Sequence, residues 1–226
     1  MKGRKVLIPL LLSAFLFSCA PKKNMTTVSY EEFHNSAVEA EKKNPTYLSA
    51  KLDVAGININ SSQNIYERQT YSFEYRYEEG SWNPVAQEGA SYAYILANKA
   101  SDLTDISESH NAMLEIISSQ YEGSNNVEAY GYQIGDGFKL FEKIRSIGGQ
   151  RTEIEYDENN EPVEVVVHQI QTEYTAINEY DSFGYLTYSC LSTSIKKSSK
   201  GTGTTIINKI EYRISYSTEI SENQNQ

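Results

Sequence analysis

The chain has two cysteines, one tryptophan, three methionines, three histidines and five prolines in 226 residues. Basic residues are also short, with 20 Lys and Arg against 30 Asp and Glu, a formal net charge of −10. Nucleic acid is held mainly by clustered Lys and Arg, so a nucleic-acid partner is excluded, and anionic lipid headgroups have no electrostatic attraction for such a surface. The three histidines, His34, His110 and His168, are scattered and none has a second His four residues away. There is no Gly-x-Ser-x-Gly elbow, no His-Glu-x-x-His helix and no Cys-x-x-Cys pair, so neither a catalytic centre nor a metal is expected, and no cofactor. Cys190 has no basic or histidine neighbour in sequence to lower its pKa and reads as a small buried hydrophobe.

There is only one long apolar run. Val6 to Phe17 follows Lys2, Arg4 and Lys5, and a dozen apolar residues fall short of the roughly 20 that span a bilayer. The order of basic and apolar segments is that of a secretory signal peptide. The run closes on Leu16, Phe17, Ser18 and Cys19, a small residue directly before cysteine with leucine three positions ahead of it. This resembles the lipobox of bacterial lipoproteins. The resemblance implies cleavage between Ser18 and Cys19, diacylglycerol on the Cys19 thiol, palmitate-bearing modification, and a domain anchored to a membrane outside the cytoplasm. Phe17 stands where that family usually has a small residue. Removing residues 1–18 takes away three basic groups and no acidic ones, so the net charge moves to −13 over the remaining 208 residues. With Cys19 lipidated, Cys190 is left alone and no intramolecular disulfide forms.

Residues 19–28 read as the lipidated cysteine and a short polar tether, 29–216 as one domain, and 217–226 as a frayed polar tail. Ser29 with Glu32 has capping-box spacing, Phe33, Ala37 and Ala40 mark one apolar side, and Asn44-Pro45 ends the helix. The period then becomes two. Leu48, Ala50, Leu52 and Val54 alternate with polar partners, and Gly56 to Gln63 is expected to be a turn or irregular edge. Tyr71, Phe73, Tyr75 and Tyr77 point one way against Ser72, Glu74 and Arg76, and Trp82 sits at the following corner. With Tyr130 and Tyr132 these aromatics are the candidate ligand-facing residues. Their other reading is the core face of strands, which Tyr and Phe suit.

Residues 90–119 show two helical stripes, one through Tyr94, Ile95, Ala97 and Ala100 and one through Met113, Leu114, Ile116 and Ile117. Gly135-Asp136-Gly137 reads as a hairpin turn with glycines at positive φ. Two Tyr-Asp pairs, Tyr156-Asp157 and Tyr180-Asp181, end strands ahead of turns, with the Asp expected to accept turn amides. Pro162 and His168 stand where a calcium loop needs Gly and Glu, so Asp157, Asn159 and Glu161 are not an EF-hand. Lys196 to Gly203 is expected to be a loop, and Ile206 to Tyr216 a last strand.

The expected fold is α+β, a curved antiparallel sheet of about seven to nine strands with helices on one face. Lipid anchor, opening helix and long antiparallel strands together resemble the half-barrel lipoproteins related to the LolA and LppX carriers. That resemblance implies that an apolar or amphiphilic ligand, a lipid among them, is held between sheet and helices. The alternative is a filled core with function on the exterior, where Tyr-rich faces and sheet edges meet an envelope protein or a glycan.

Overall fold

The structure is a computed structural model, and it describes residues 26–103, 124–199 and 202–220. The signal segment, Cys19, the second helical stripe at 104–123 with His110, and residues 221–226 lie outside the described residues.

Among the described residues nine strands form a single antiparallel sheet that is not closed. In chain order they are β1 (Thr26–Val28), β2 (Ser49–Asn60), β3 (Ile65–Glu78), β4 (Ser81–Pro84), β5 (Ser124–Ile134), β6 (Phe138–Tyr156), β7 (Pro162–Tyr180), β8 (Leu186–Ser199) and β9 (Thr202–Ser217). Across the sheet the order is β1-β5-β6-β7-β8-β9-β2-β3-β4. Five strands thus follow one another as a meander. The last of them, β9, then pairs with β2 along all twelve of its residues. This non-sequential closure makes β2 a central strand, held on its other side by β3.

Helix α1 (Tyr30–Glu41) starts at Ser29, whose Oγ accepts the Glu32 N–H at 3.2 Å. Glu31 and Glu32 lie in the first turn, where the helix dipole favours acidic groups. Its Phe33 and Ala37 are fully buried. Phe33 meets Tyr132 of β5 at 4.9 Å and Phe138 of β6 at 5.7 Å between ring centroids. Between β4 and β5 the chain makes a 3-10 turn (Gln87–Tyr92), a single α turn, α2 (Ala93–Leu96), and a second 3-10 turn (Ala100–Asp102). These pack on the same face. Tyr92 packs on Phe73 with ring centroids 4.8 Å apart, and Ile95, Leu96 and Ala100 are buried.

The core follows from register. Ala50, Leu52 and Val54 of β2 stand opposite Tyr75, Phe73 and Tyr71 of β3, and opposite Tyr216, Ile214 and Tyr212 of β9. Leu52 is fully buried. A side chain of that kind contributes about 1.5–3 kcal/mol by leaving water.

Several expectations are corrected. Residues 56–60 continue β2, because Ile57 and Ile59 keep the period of two and β2 is paired on both sides; only 61–64 turn. Of the expected loop at Lys196–Gly203, residues 196–199 and 202–203 are strand, since β8 runs to Ser199 and β9 begins at Thr202; residues 200 and 201 lie outside the described residues. The Ser, Thr and Lys residues of these strand ends are held extended by ladder pairing with β7 and β9, which outweighs their loop composition. Of the expected tail, Glu219 is tied to β2, its carbonyl accepting the Ser49 hydroxyl at 2.6 Å, and residues 221–226 lie outside the described residues. Gly137 does sit in the β5–β6 hairpin but without positive φ. Its glycine is required by close approach, because a Cβ there would collide with the Tyr180 carbonyl oxygen.

The two Tyr-Asp turns are built alike, as the sequence leads one to expect. Asp157 Oδ1 accepts the N–H groups of Asn159 and Glu161 at 2.8 and 2.9 Å, and Asn160 takes φ 66°. Asp181 Oδ1 accepts those of Phe183 and Tyr185 at 2.9 and 3.0 Å, and Gly184 takes φ 90°.

Candidate functional site

A cleft of about 320 Å³ lies between the 94–103 segment and the face of β7, β8 and β9. That volume lies at the lower end of small-molecule sites, roughly 300–1,000 Å³. Its floor comes from three strands in register. Asn178 stands opposite Ser189, and Ser189 opposite Tyr212, so one row crosses β7, β8 and β9. The Ser189 hydroxyl donates to Asn178 Oδ1 at 2.7 Å. This leaves the Asn178 amide group as a donor at the floor. Tyr180 and Leu186, a buried pair two pairs further along past a register shift, close the apolar end.

The roof is Tyr94, Ile95, Asn98, Lys99, Asp102 and Leu103. Tyr94, 64% exposed, stands at the rim. The segment is fastened on both sides. Ala100 N–H donates to the Gly184 carbonyl at 2.8 Å, and Lys99 bridges to Tyr185 in the turn after β7. On the other side Lys99 Nζ reaches Glu41 Oε1 at 2.9 Å, Ser101 Oγ donates to Glu41 Oε2 at 2.6 Å, and Tyr30 donates to the Leu103 carbonyl at 2.7 Å. These bonds hold the Glu41 carboxyl below its usual range, the Lys99 bond first, and in return the Glu41 bond raises the Lys99 ammonium. Burial pushes the Tyr212 phenol up. The cleft thus offers an apolar wall of Ile95, Leu103 and Leu186 and a polar set of two amides, hydroxyls, one amine and one carboxylate.

No histidine lines this space. Among the described residues no group of three or more His, Cys, Asp or Glu is placed to hold a metal ion.

Of the candidate ligand-facing aromatics whose side chains are described, none lines the cleft. Tyr75 is buried, donates to the Gly89 carbonyl and has its phenol pushed up to about 12 by burial. Phe73 lies under Tyr92. Tyr132 is buried against Phe33 and Tyr30. Tyr77 and Trp82 pack on one another at 5.2 Å, and Trp82 continues to Tyr216 at 5.8 Å, which makes it a lid on the core edge. Tyr71, on the same face, is 55% exposed. The Tyr130 side chain lies outside the described residues. Sequence reading missed Asn98, Lys99, Asp102, Asn178, Ser189 and Tyr212 as a group. Only two signals pointed toward them, the Tyr94-Ile95 stripe and the alternation through Tyr212.

A second space, about 190 Å³, lies beside Ser49–Lys51, Glu74–Arg76 and Ser215–Ser217 and is below the size of a ligand site. Cys190 is buried and free, with burial raising its thiol. His34 packs beside Tyr30 with ring centroids 5.6 Å apart; it is half-buried rather than solvated. No helix among the described residues is long and apolar enough to cross a membrane.

Comparison of the chain with protein-family models, with curated proteins and with solved structures finds no match.

Proposed function

We propose that this chain is an exported bacterial lipoprotein, anchored to a membrane through diacylglycerol on Cys19, that holds an amphiphilic molecule between its helical connection and its sheet. It acts by binding and not by catalysis. The observation that carries the ligand reading is the cleft, whose apolar wall of Ile95, Leu103 and Leu186 meets a polar set at Asn98, Asn178 and Ser189. Such a lining suits a molecule with an apolar body and a hydrogen-bonding head. The anchor reading rests on Leu16 to Cys19 and the basic and apolar run before them. In this reading the open sheet is a half-barrel of the carrier type, and because Thr26–Val28 of the expected tether is already paired with β5 as β1, the remaining tether, residues 20–25, keeps the start of the sheet roughly 20 Å or less from the bilayer.

The test is native mass spectrometry of the full-length protein purified from its host membrane. A bound small molecule is expected on the unaltered chain and absent from Ser189→Trp, which fills the floor. A control with Cys19→Ala is expected to lose palmitate labelling and leave the membrane fraction. Recovery of the unaltered protein free of any small molecule overturns the ligand reading, and retention of palmitate by Cys19→Ala overturns the anchor.

A further inference from the structure

The direction of each backbone group on β3 follows from one bond. Tyr77 N–H donates to the Leu48 carbonyl at 2.9 Å. Antiparallel pairs alternate between bonded and non-bonded, so with the unbroken β2–β3 register the odd residues from Ile65 to Tyr77 spend their backbone groups on β2. The even residues face the other way. There the Glu74 carbonyl accepts Val85 N–H at 2.9 Å, and Arg76 and Glu78 stand opposite Asn83 and Ser81 of β4. At Tyr66, Arg68, Thr70 and Ser72 no neighbouring strand is present among the described residues.

This stretch extends over seven residues, roughly 24 Å at 3.4 Å per residue. Residues 65–72 are all exposed. Sheets blunt their edges by short strands, bulges, proline or charge. The β1 edge is three residues long and β4 is four with Pro84 at its end, whereas β3 here has no register shift and no proline. Its only such device is the pair Glu67 and Arg68.

We propose that the free edge from Tyr66 to Ser72 accepts an added strand, an extended segment of another protein that alternates apolar and polar residues and carries a carboxylate opposite Arg68. The inward residues of the added strand come to lie beside Tyr71 and Ile65, 55% and 38% exposed on the side of the sheet that carries the core. They are therefore apolar. Arg68, on the opposite face with Tyr66, has no ion-pair partner among the described residues and sets the place of the carboxylate. A second copy of this chain fits less well. A two-fold antiparallel β3 pair centred on Glu67 or Arg68 opposes like charges, the whole chain carries −10, and one short ladder is far smaller than the roughly 1,200–2,000 Å² of a stable interface.

The test uses the full chain and a peptide that alternates Thr and Val over nine residues with Glu at its centre. At saturation the amides of Tyr66, Arg68, Thr70 and Ser72 are expected to exchange with solvent at least about tenfold more slowly, while those of Glu67, Gln69 and Tyr71 do not change. Thr70→Pro removes only an outward N–H, so it keeps the β2 ladder and is expected to weaken the peptide about tenfold. Thr70→Val, which keeps the N–H, binds as the native chain does. Equal slowing of odd and even amides, no slowing, or native affinity in Thr70→Pro overturns the proposal. So does slowing of the even amides with rising protein concentration in the absence of peptide, which would assign the edge to a second copy.

Discussion

Replacing Asp181 by Ala is expected to cost far more than replacing Asp157, although both residues sit at the same place in the same kind of turn. Each carboxylate accepts two backbone amides at 2.8–3.0 Å. At Asp157 the turn is exposed, so the freed amides return to water and the loss is about 1 kcal/mol. Asp181 is half-buried and its Oδ2 also accepts the Tyr47 hydroxyl at 2.9 Å. Tyr47 packs between Tyr185 at 4.8 Å and Tyr216 at 4.9 Å, and burial with the nearby carboxylate pushes its phenol up. Asp181→Ala therefore strands three donors, two of them beside a packed aromatic cluster, for about 3 kcal/mol in total.

The difference of about 2 kcal/mol is read from urea midpoints. With a slope near 3 kcal/mol per molar, it separates the two variants by about 0.7 M. A double-mutant cycle isolates the cause. Tyr47→Phe is expected to couple to Asp181→Ala by about 1 kcal/mol and not at all to Asp157→Ala, which lies at the other end of β7. Equal midpoints, or no coupling with Tyr47, would show that the third bond is not what distinguishes the turns. The same variant has a second effect, because the 181–185 turn supplies the Gly184 carbonyl that holds Ala100. Asp181→Ala is expected to lose the cleft ligand while Asp157→Ala keeps it.

Gly137→Ala is expected to destabilise by about 3 kcal/mol or more, since the obstacle is the Tyr180 backbone and not a movable side chain. Gly56→Ala meets nothing within 4 Å and is expected to stabilise by about 0.4–1 kcal/mol through the unfolded chain; thermal melts check both. Glu41→Gln tests the cleft clamp. The Glu41 pKa is lowered on folding, so its stabilisation is complete above the ordinary value of 4.5 and is lost as pH falls through the lower folded value. With side chains 30% and 38% exposed, solvent screening limits the difference from the native chain to about 1 kcal/mol at neutral pH, and it vanishes in denaturation curves at acid pH. Cys190, 4% exposed with its thiol raised by burial, is expected to react with a thiol reagent at least about a hundredfold more slowly in the native chain than in urea; equal rates would mean that β8 opens readily.

What the sequence made legible was local. The Ser29 cap, the two Asp turns and the one-sided aromatic stripe at Tyr71, Phe73, Tyr75 and Tyr77 depend on residues within a few positions of one another, and each is found. The use of that stripe was not legible. Whether Tyr75 faces a ligand or a core depends on Gly89, which reaches it from a separate turn. The cleft was hidden for the same reason at longer range. Its residues come from 94–103, 178–189 and 212, and they meet because β9 follows β8 in the meander while the 94–103 segment is fastened to α1 and to the turn after β7. The extension of β2 to Asn60 was masked by Gly, Asn and Ser, whose weak strand preference is overridden by partners on both sides.

The cleft and the β3 edge are separated by a stiff part of the sheet, and this decides how they can influence one another. Between Tyr212 at the cleft floor and Tyr71 at the edge stands Val54 of β2, opposite both. Val54 is buried, and β2 is bonded along all twelve residues to β3 and β9 without a bulge. Coupling between sites needs an element with two arrangements that both sites bias. A strand paired on both sides, with its core row filled, has no second arrangement short of losing a whole ladder. The cleft roof is fastened at Glu41, Tyr30 and Gly184, and these anchors lie on the far side of β9 from β3. Ser189→Trp is therefore expected to abolish cleft binding and leave the affinity of the strand peptide unchanged within about twofold. A larger change in a titration of the peptide would locate a switch in β2 or β9 and refute the rigidity argued from their register.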